Sequence, residues 1–140
     1  FGKVVAGTSG KPTSQAVDYK FWSDLMSYKI DEETEVGICT VFKQATNSLN
    51  GMERHLNTPE ILIPIDAPFI LPLLNDKSKP EEAEAFVVDI GQAITINESV
   101  WHGACIPFEK DECSYFVIFK KGTTNNDVEK TDLPEIIISS

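Results

Sequence analysis

The chain has 140 residues, 41% hydrophobic and 24% charged, the size and make-up of one globular domain around one core. Its 22 acidic residues outnumber its 12 lysines and arginines, and the net charge of −10 excludes nucleic acid and anionic membrane surfaces as natural partners. The longest apolar run, Ile61 to Leu74, is interrupted by Pro64, Asp66, Pro68 and Pro72 and is no membrane-spanning helix.

In chain order, Phe1 to Ala6 predicts a short strand, followed by a Gly/Pro/Ser turn through Thr13. Ala16 to Ile30 is ambiguous: Phe21, Trp22, Leu25 and Met26 have helical spacing, and a short helix or an irregular loop both fit. Thr34 to Lys43 is a strand with Val36, Ile38, Thr40 and Phe42 on one side. Gln44 to Gly51 is a polar loop.

Short strands then follow over Met52–His55, Glu60–Ile65, Phe69–Leu74, Ala83–Asp89, Ala93–Ile96 and Val100–Ile106. Cys113 to Lys121 is apolar enough to be a central strand. Gly122 to Asp132 reads as a polar loop, and Glu135 to Ser139 as a last β segment. Many short strands with turns between them predict an all-β sandwich or barrel, and closure into a jelly roll hides the sheet edges. The whole chain, 1–140, reads as a single domain with a short irregular or helical N-terminal segment. Cys39, Cys105 and Cys113 are odd in number and lack a C-x-x-C pair, so three buried thiols in a reducing cytoplasm are expected.

Two spacings carry chemistry. Glu53, His55 and Glu60 stand at i, i+2 and i+7, so Glu53 and His55 project from one strand face. Gly91, Asn97, Ser99 and His102 form a second series. Taken singly, Glu53-Arg54-His55 reads as a polar edge strand and His102 as a structural histidine. Together, and in this order, they point to a pocket. Both spacings resemble the two motifs of cupin barrels (a double-stranded β-helix). Here Glu53 takes the place of the first motif's leading histidine, and Asn97 and Ser99 take the Pro and Gly places of the second. Two carboxylates and two imidazoles suit a divalent ion such as Mn, Fe, Ni or Zn, held by Glu53, His55, Glu60 and His102. No organic cofactor is expected.

The chain further resembles the ureidoglycolate lyase family. Met52-Glu53-Arg54-His55, Glu60-Ile61-Leu62-Ile63-Pro64, Ala85-Phe86-Val87, Val100-Trp101-His102, Phe116-Val117-Ile118 and Asn126-Asp127-Val128 carry the likeness. The departures are Leu56 for a proline, Asn97 for a histidine, Gly103-Ala104 for His-Pro, Lys120 for an aspartate and Glu60 for a glutamine. They mark a divergent branch.

The resemblance implies cleavage of ureidoglycolate to glyoxylate and urea, with a homodimer as the common assembly. Such a reaction needs a base for the hydroxyl proton and an acid for the leaving nitrogen. Glu53, His55 and His102 are the catalytic candidates. A small anionic metabolite needs a cation, which Lys43, Arg54 or Lys120 would supply beside Trp101. Arg54, opposite in strand parity to Glu53, also fits an outward role. The alternatives are a carbohydrate isomerase or epimerase and a non-catalytic metabolite binder.

Overall fold

The computed structural model describes residues 1–8 and 10–138. The strands are β1 (Gly2–Val5), β2 (Ser14–Ala16), β3 (Tyr19–Phe21), β4 (Thr34–Phe42), β5 (Ser48–Arg54), β6 (Glu60–Pro64), β7 (Phe69–Leu74), β8 (Glu84–Val88), β9 (Ala93–Ile96), β10 (Trp101–His102), β11 (Ile106–Pro107), β12 (Glu112–Lys120) and β13 (Glu129–Ile137). Helical residues among those described are a single 3-10 turn, Pro80–Glu82, and the one-turn helix α1, Thr123–Asn126.

Two antiparallel sheets face each other. One runs β1-β9-β6-β12-β4; the other runs β11-β7-β10-β5-β13, with β8 also paired to β7. The core fills the space between them. Leu62, Ile94, Ile96, Cys113 and Tyr115 come from the first sheet and Phe69, Leu71, Leu73 and Val88 from the second. Their alternation along each strand is the period-2 pattern that lets one face of a sheet be buried. A smaller cluster of Leu49, Met52 and Leu74, with Trp101 and Ile136 against it, closes the outer side of the second sheet. The fold is the all-β jelly roll that the strand pattern predicts. β12 is a central strand, between β6 and β4.

Several local expectations need correction. Of the two forms left open for 16–30, the structure takes the non-helical one. The segment opens with the β2–β3 hairpin and continues irregularly, with Phe21 55% exposed. Met26 docks on β9, its Sδ accepting a hydrogen bond from Thr95 Oγ1, and half-buried Trp22 donates its Nε1–H to Gly10 O. The β5 strand begins at Ser48, inside the predicted polar loop, because Leu49 and Met52 are core residues there. The predicted strand 100–106 is broken into β10 and β11, where Gly103 N–H turns aside to Pro72 O. The predicted loop 122–132 contains α1 and the start of β13, an edge strand whose polar residues hid it. A register shift follows between Asp132 and Ile136. Ser139, the predicted end of that segment, lies outside the described residues. In β4, Cys39 and Val41 face inward, whereas Val36, Ile38 and Phe42 are 62–64% exposed.

Candidate functional site

Three strands bring four chemical groups to one end of the sandwich. His102 lies on β10, directly opposite Glu53 on β5, and His55 follows two residues after Glu53. Glu60, at the start of β6 in the facing sheet, reaches across to both imidazoles. Its Oε2 lies 3.2 Å from His55 Nε2 and 3.1 Å from His102 Nε2. Both rings and the carboxylate are buried. Ligand atoms of Glu53, His55 and His102 all lie within 4.8 Å of one another. The spacings at 53/55 and at 91/102 thus converge.

The turn that presents His102 is made by Asn97 and Ser99, which stand in the Pro and Gly places of the motif it resembles, while Gly91 keeps the motif's first glycine. Gly91 has φ 91° and Ser99 φ 68°, so Ser99 adopts the left-handed conformation that its Gly place requires. Ser99 N–H donates to His55 O, which ties the two histidine segments together. Gly103 stands where the family has a second histidine. A Cβ there would stand 2.5 Å from Leu49 Cδ1, so the Leu49 side chain would have to move to admit one.

The electrostatics follow from burial and mutual contact. Burial alone would raise the Glu60 carboxyl, but the imidazoles of His102 and His55 hold it down at about 2. It is therefore a carboxylate throughout the neutral range. Burial would lower His55, but the Glu60 carboxylate outweighs this and raises it. His55 Nδ1 lies 2.8 Å from the carbonyl oxygen of Asp127. A carbonyl only accepts, so Nδ1 carries a proton; Nε2, turned to Glu60, carries a second one in the charged ring that Glu60 favours, and offers a lone pair to an ion once that proton leaves. The Asp127 carboxylate accepts from Leu56 N–H and Asn57 N–H, clamping the loop behind His55.

Glu60 Oε2 and His102 Nε2 are sealed from solvent and complete no hydrogen bond, although they approach to 3.1 Å. Orphaned buried polar atoms of this kind are costly. Two imidazoles and carboxylates aimed at one point fit a borderline divalent ion.

A cavity of about 610 Å³ opens on the Glu53, His55 and Glu60 part of this cluster, bounded also by Phe119, Thr124, Asn125, Asn126, Val128 and Lys130; His102, buried, is not among its lining residues. The other expected ligand-binding residues are not among those lining it. Arg54 stands 17% exposed between Asp76 and Glu129, at 2.7 Å from each, and lies over the Trp101 ring. Its odd strand parity turns it away from Glu53. Lys120 bridges to Asp31 and Glu32. Lys43 is exposed beyond the end of β4, its N–H bonded to Asp111 O. The lining residues missed from sequence are those of α1 and the start of β13, which read as a featureless polar loop.

The sheets and the histidine–carboxylate end define the molecule as a cupin. The solved structures it resembles have this fold: a 3,4-ketoisomerase from Helicobacter canadensis (TM-score 0.57, 11% identity, 91% of this chain and 89% of that one) and the TDP-fucose-3,4-ketoisomerase WlaRA from Campylobacter jejuni (0.55, 14%, 91% and 87%). The Bacillus subtilis oxalate decarboxylase OxdC, described as having Mn(II) centres, matches at 0.51 with 15% identity over 89% of this chain. The chain spans 30% of that enzyme and 23% of a Brassica napus procruciferin, well under two thirds of either. The family model for ureidoglycolate lyase matches residues 1–139, and the chain belongs to that family. No curated protein sequence matches it.

Proposed function

We propose that the chain is a single-domain, divergent ureidoglycolate-lyase-like cupin that acts on a small hydroxy or keto acid. Its reaction is cleavage of ureidoglycolate to glyoxylate and urea. The observation that carries this is the convergence of Glu53, His55 and His102 within 4.8 Å, with Glu53 and His55 on the wall of an open cavity, in a member of this family.

His55, His102 and Glu60 would hold one divalent ion, with Glu53 within reach as a further donor. Mn, Fe, Ni and Zn all suit the set. When bound, the ion supplies Lewis acidity to the hydroxyl and carboxylate oxygens of a chelating substrate. Glu53 is the least buried of the four and borders the cavity, so it is free to carry a proton. Its carboxylate takes the hydroxyl proton as the carbon–nitrogen bond breaks and the carbonyl of glyoxylate forms. The same proton then passes to the leaving nitrogen, giving urea with no other reactant. His102 and His55 orient the groups around it. Glu60, ionised throughout the neutral range, cannot serve as the acid.

Wild-type protein incubated with ureidoglycolate should release glyoxylate and urea in equal amounts. Glu53→Gln and His102→Ala should fall to background, about 10²-fold or more below it. Equal rates in wild type and His102→Ala would sink this reading. A cavity of about 610 Å³ is roomy for so small an acid and favours one second reading, a carbohydrate ketoisomerase using the same proton carrier. Turnover of a nucleotide-linked ketosugar without glyoxylate release would establish it. Binding with neither turnover would leave a metabolite-binding cupin.

The family resemblance and the exposed Val36, Ile38 and Phe42 on edge strand β4 support a homodimer, read as a doubled mass in sedimentation. Three free thiols support a reducing, cytoplasmic setting. Among the described residues no helix is long and apolar enough to cross a membrane.

A further inference from the structure

We infer that Lys130 is the residue that receives the ligand's negative charge, so that the pocket selects small 2-hydroxy or 2-oxo acids through their carboxylate. The inference rests on the reading of the Glu53–His55–His102 cluster as a ligand site.

Lys130 stands directly opposite Glu53 in the β13–β5 register. Cross-strand partners project from the same sheet face with their Cβ atoms ~5 Å apart, so Lys130 shares the face that carries Glu53 toward the imidazoles. It lines the cavity, and among the described residues it is the only lysine or arginine that does. The cations on the neighbouring elements are already engaged. Arg54 is held by Asp76 and Glu129, Lys120 by Asp31 and Glu32, and Lys121 by Glu33. Lys130 has no acidic partner within salt-bridge reach among the described residues.

The facing wall is α1, where Asn125 and Asn126 offer neutral polar groups. An acid entering between β13 and α1 thus meets one uncommitted ammonium near the mouth and the histidine–carboxylate cluster at the inner end. Its carboxylate has one partner of opposite charge, and its hydroxyl or keto end is left toward Glu53. In a chain of net charge −10 an anion finds few such places. A lysine on an edge strand also has a plainer use, discouraging edge-to-edge pairing. The two roles separate by experiment.

Glycolate and its neutral counterpart glycolamide are titrated calorimetrically into wild type, Lys130→Met and Lys130→Arg, with Mn(II) added and again after chelation. Wild type should prefer glycolate by about tenfold or more, the worth of one charge-assisted hydrogen bond. Lys130→Met should erase that preference at unchanged melting temperature and metal content, and Lys130→Arg should keep it. No preference in wild type overturns the inference, as does a preference that survives in Lys130→Met. A parallel loss of melting temperature in both variants assigns Lys130 to the sheet edge and overturns it too. Failure of wild type to make glyoxylate from ureidoglycolate, with the glycolate preference intact, refutes the lyase reading and leaves Lys130 in place.

Discussion

Glu60 Oε2 stands 3.1 Å from His102 Nε2 inside the sandwich, yet neither atom completes a hydrogen bond and solvent reaches neither. Each such group costs ~1–3 kcal/mol if nothing else engages it. A divalent cation between the two relieves both costs together. The purified chain should therefore carry about one divalent ion per copy by elemental analysis, and chelation should lower its melting temperature. Glu60→Gln and His102→Ala should each weaken the ion's affinity at least ~10²-fold in equilibrium dialysis, since losing a direct ligand exceeds losing a supporting one. Wild-type affinity in both variants would show that the two orphaned atoms serve no ion.

How much of this was legible in the sequence follows from what each signal measures. β6, β7, β9 and β12 were readable from their residues alone because they are apolar runs; β7 is buried along its whole length and β6 and β9 nearly so. β13 was only half readable, because its polar residues sit on an edge where strand pairing, not apolar burial, defines the element. The Glu53–His55 spacing survives folding because two residues along a strand always share a face. That Arg54 turns outward follows from the same rule. Lys130 was invisible for the opposite reason. Nothing at position 130 says it will sit opposite residue 53, since register between distant strands is a tertiary fact.

Asp127 acts through His55. Its backbone oxygen receives the Nδ1 proton, and its carboxylate pins the amides of Leu56 and Asn57. Asp127→Ala keeps the first contact and removes the other two. It should cost ~1–3 kcal/mol in urea unfolding, from two amides left without their acceptor. It should also weaken metal binding ~10–100-fold, because the ring it steadies loses its fixed direction. Asp127→Asn, which keeps one acceptor oxygen, should restore part of both.

Ser99 holds φ 68°, a conformation that costs a residue with a side chain ~1–2 kcal/mol relative to glycine. Ser99→Gly removes that strain but loosens the unfolded chain by ~0.5–1 kcal/mol. The net should be a gain of about 0.5 kcal/mol, a rise of ~1–3 °C in melting temperature. Metal affinity should not change, because the backbone path to His102 is the same. A loss of stability would mean that the Ser99 side chain makes a contribution larger than its strain.

The thiols give the fold an alkaline limit. Burial pushes Cys105 well above the ordinary thiol value of 9.0, pushes Cys113 to about 11, and raises Tyr115 beside them. Each group ionises more readily in the unfolded chain than in the folded one. Their contribution to stability is therefore complete below pH 9.0 and is lost as the pH rises, for Cys113 across the span from 9.0 to about 11. Urea midpoints should be flat from pH 7 to 9 as far as these groups are concerned and then fall. Cys113→Ala, though less stable at neutral pH, should fall less steeply. In the native protein at pH 8, iodoacetamide should label Cys105 and Cys113 at least ~10²-fold more slowly than in urea, because the reactive thiolate forms only when the core opens. Rapid native labelling of Cys113, which is wholly enclosed between the two sheets, would mean that the sheets part far more often than a packed core allows.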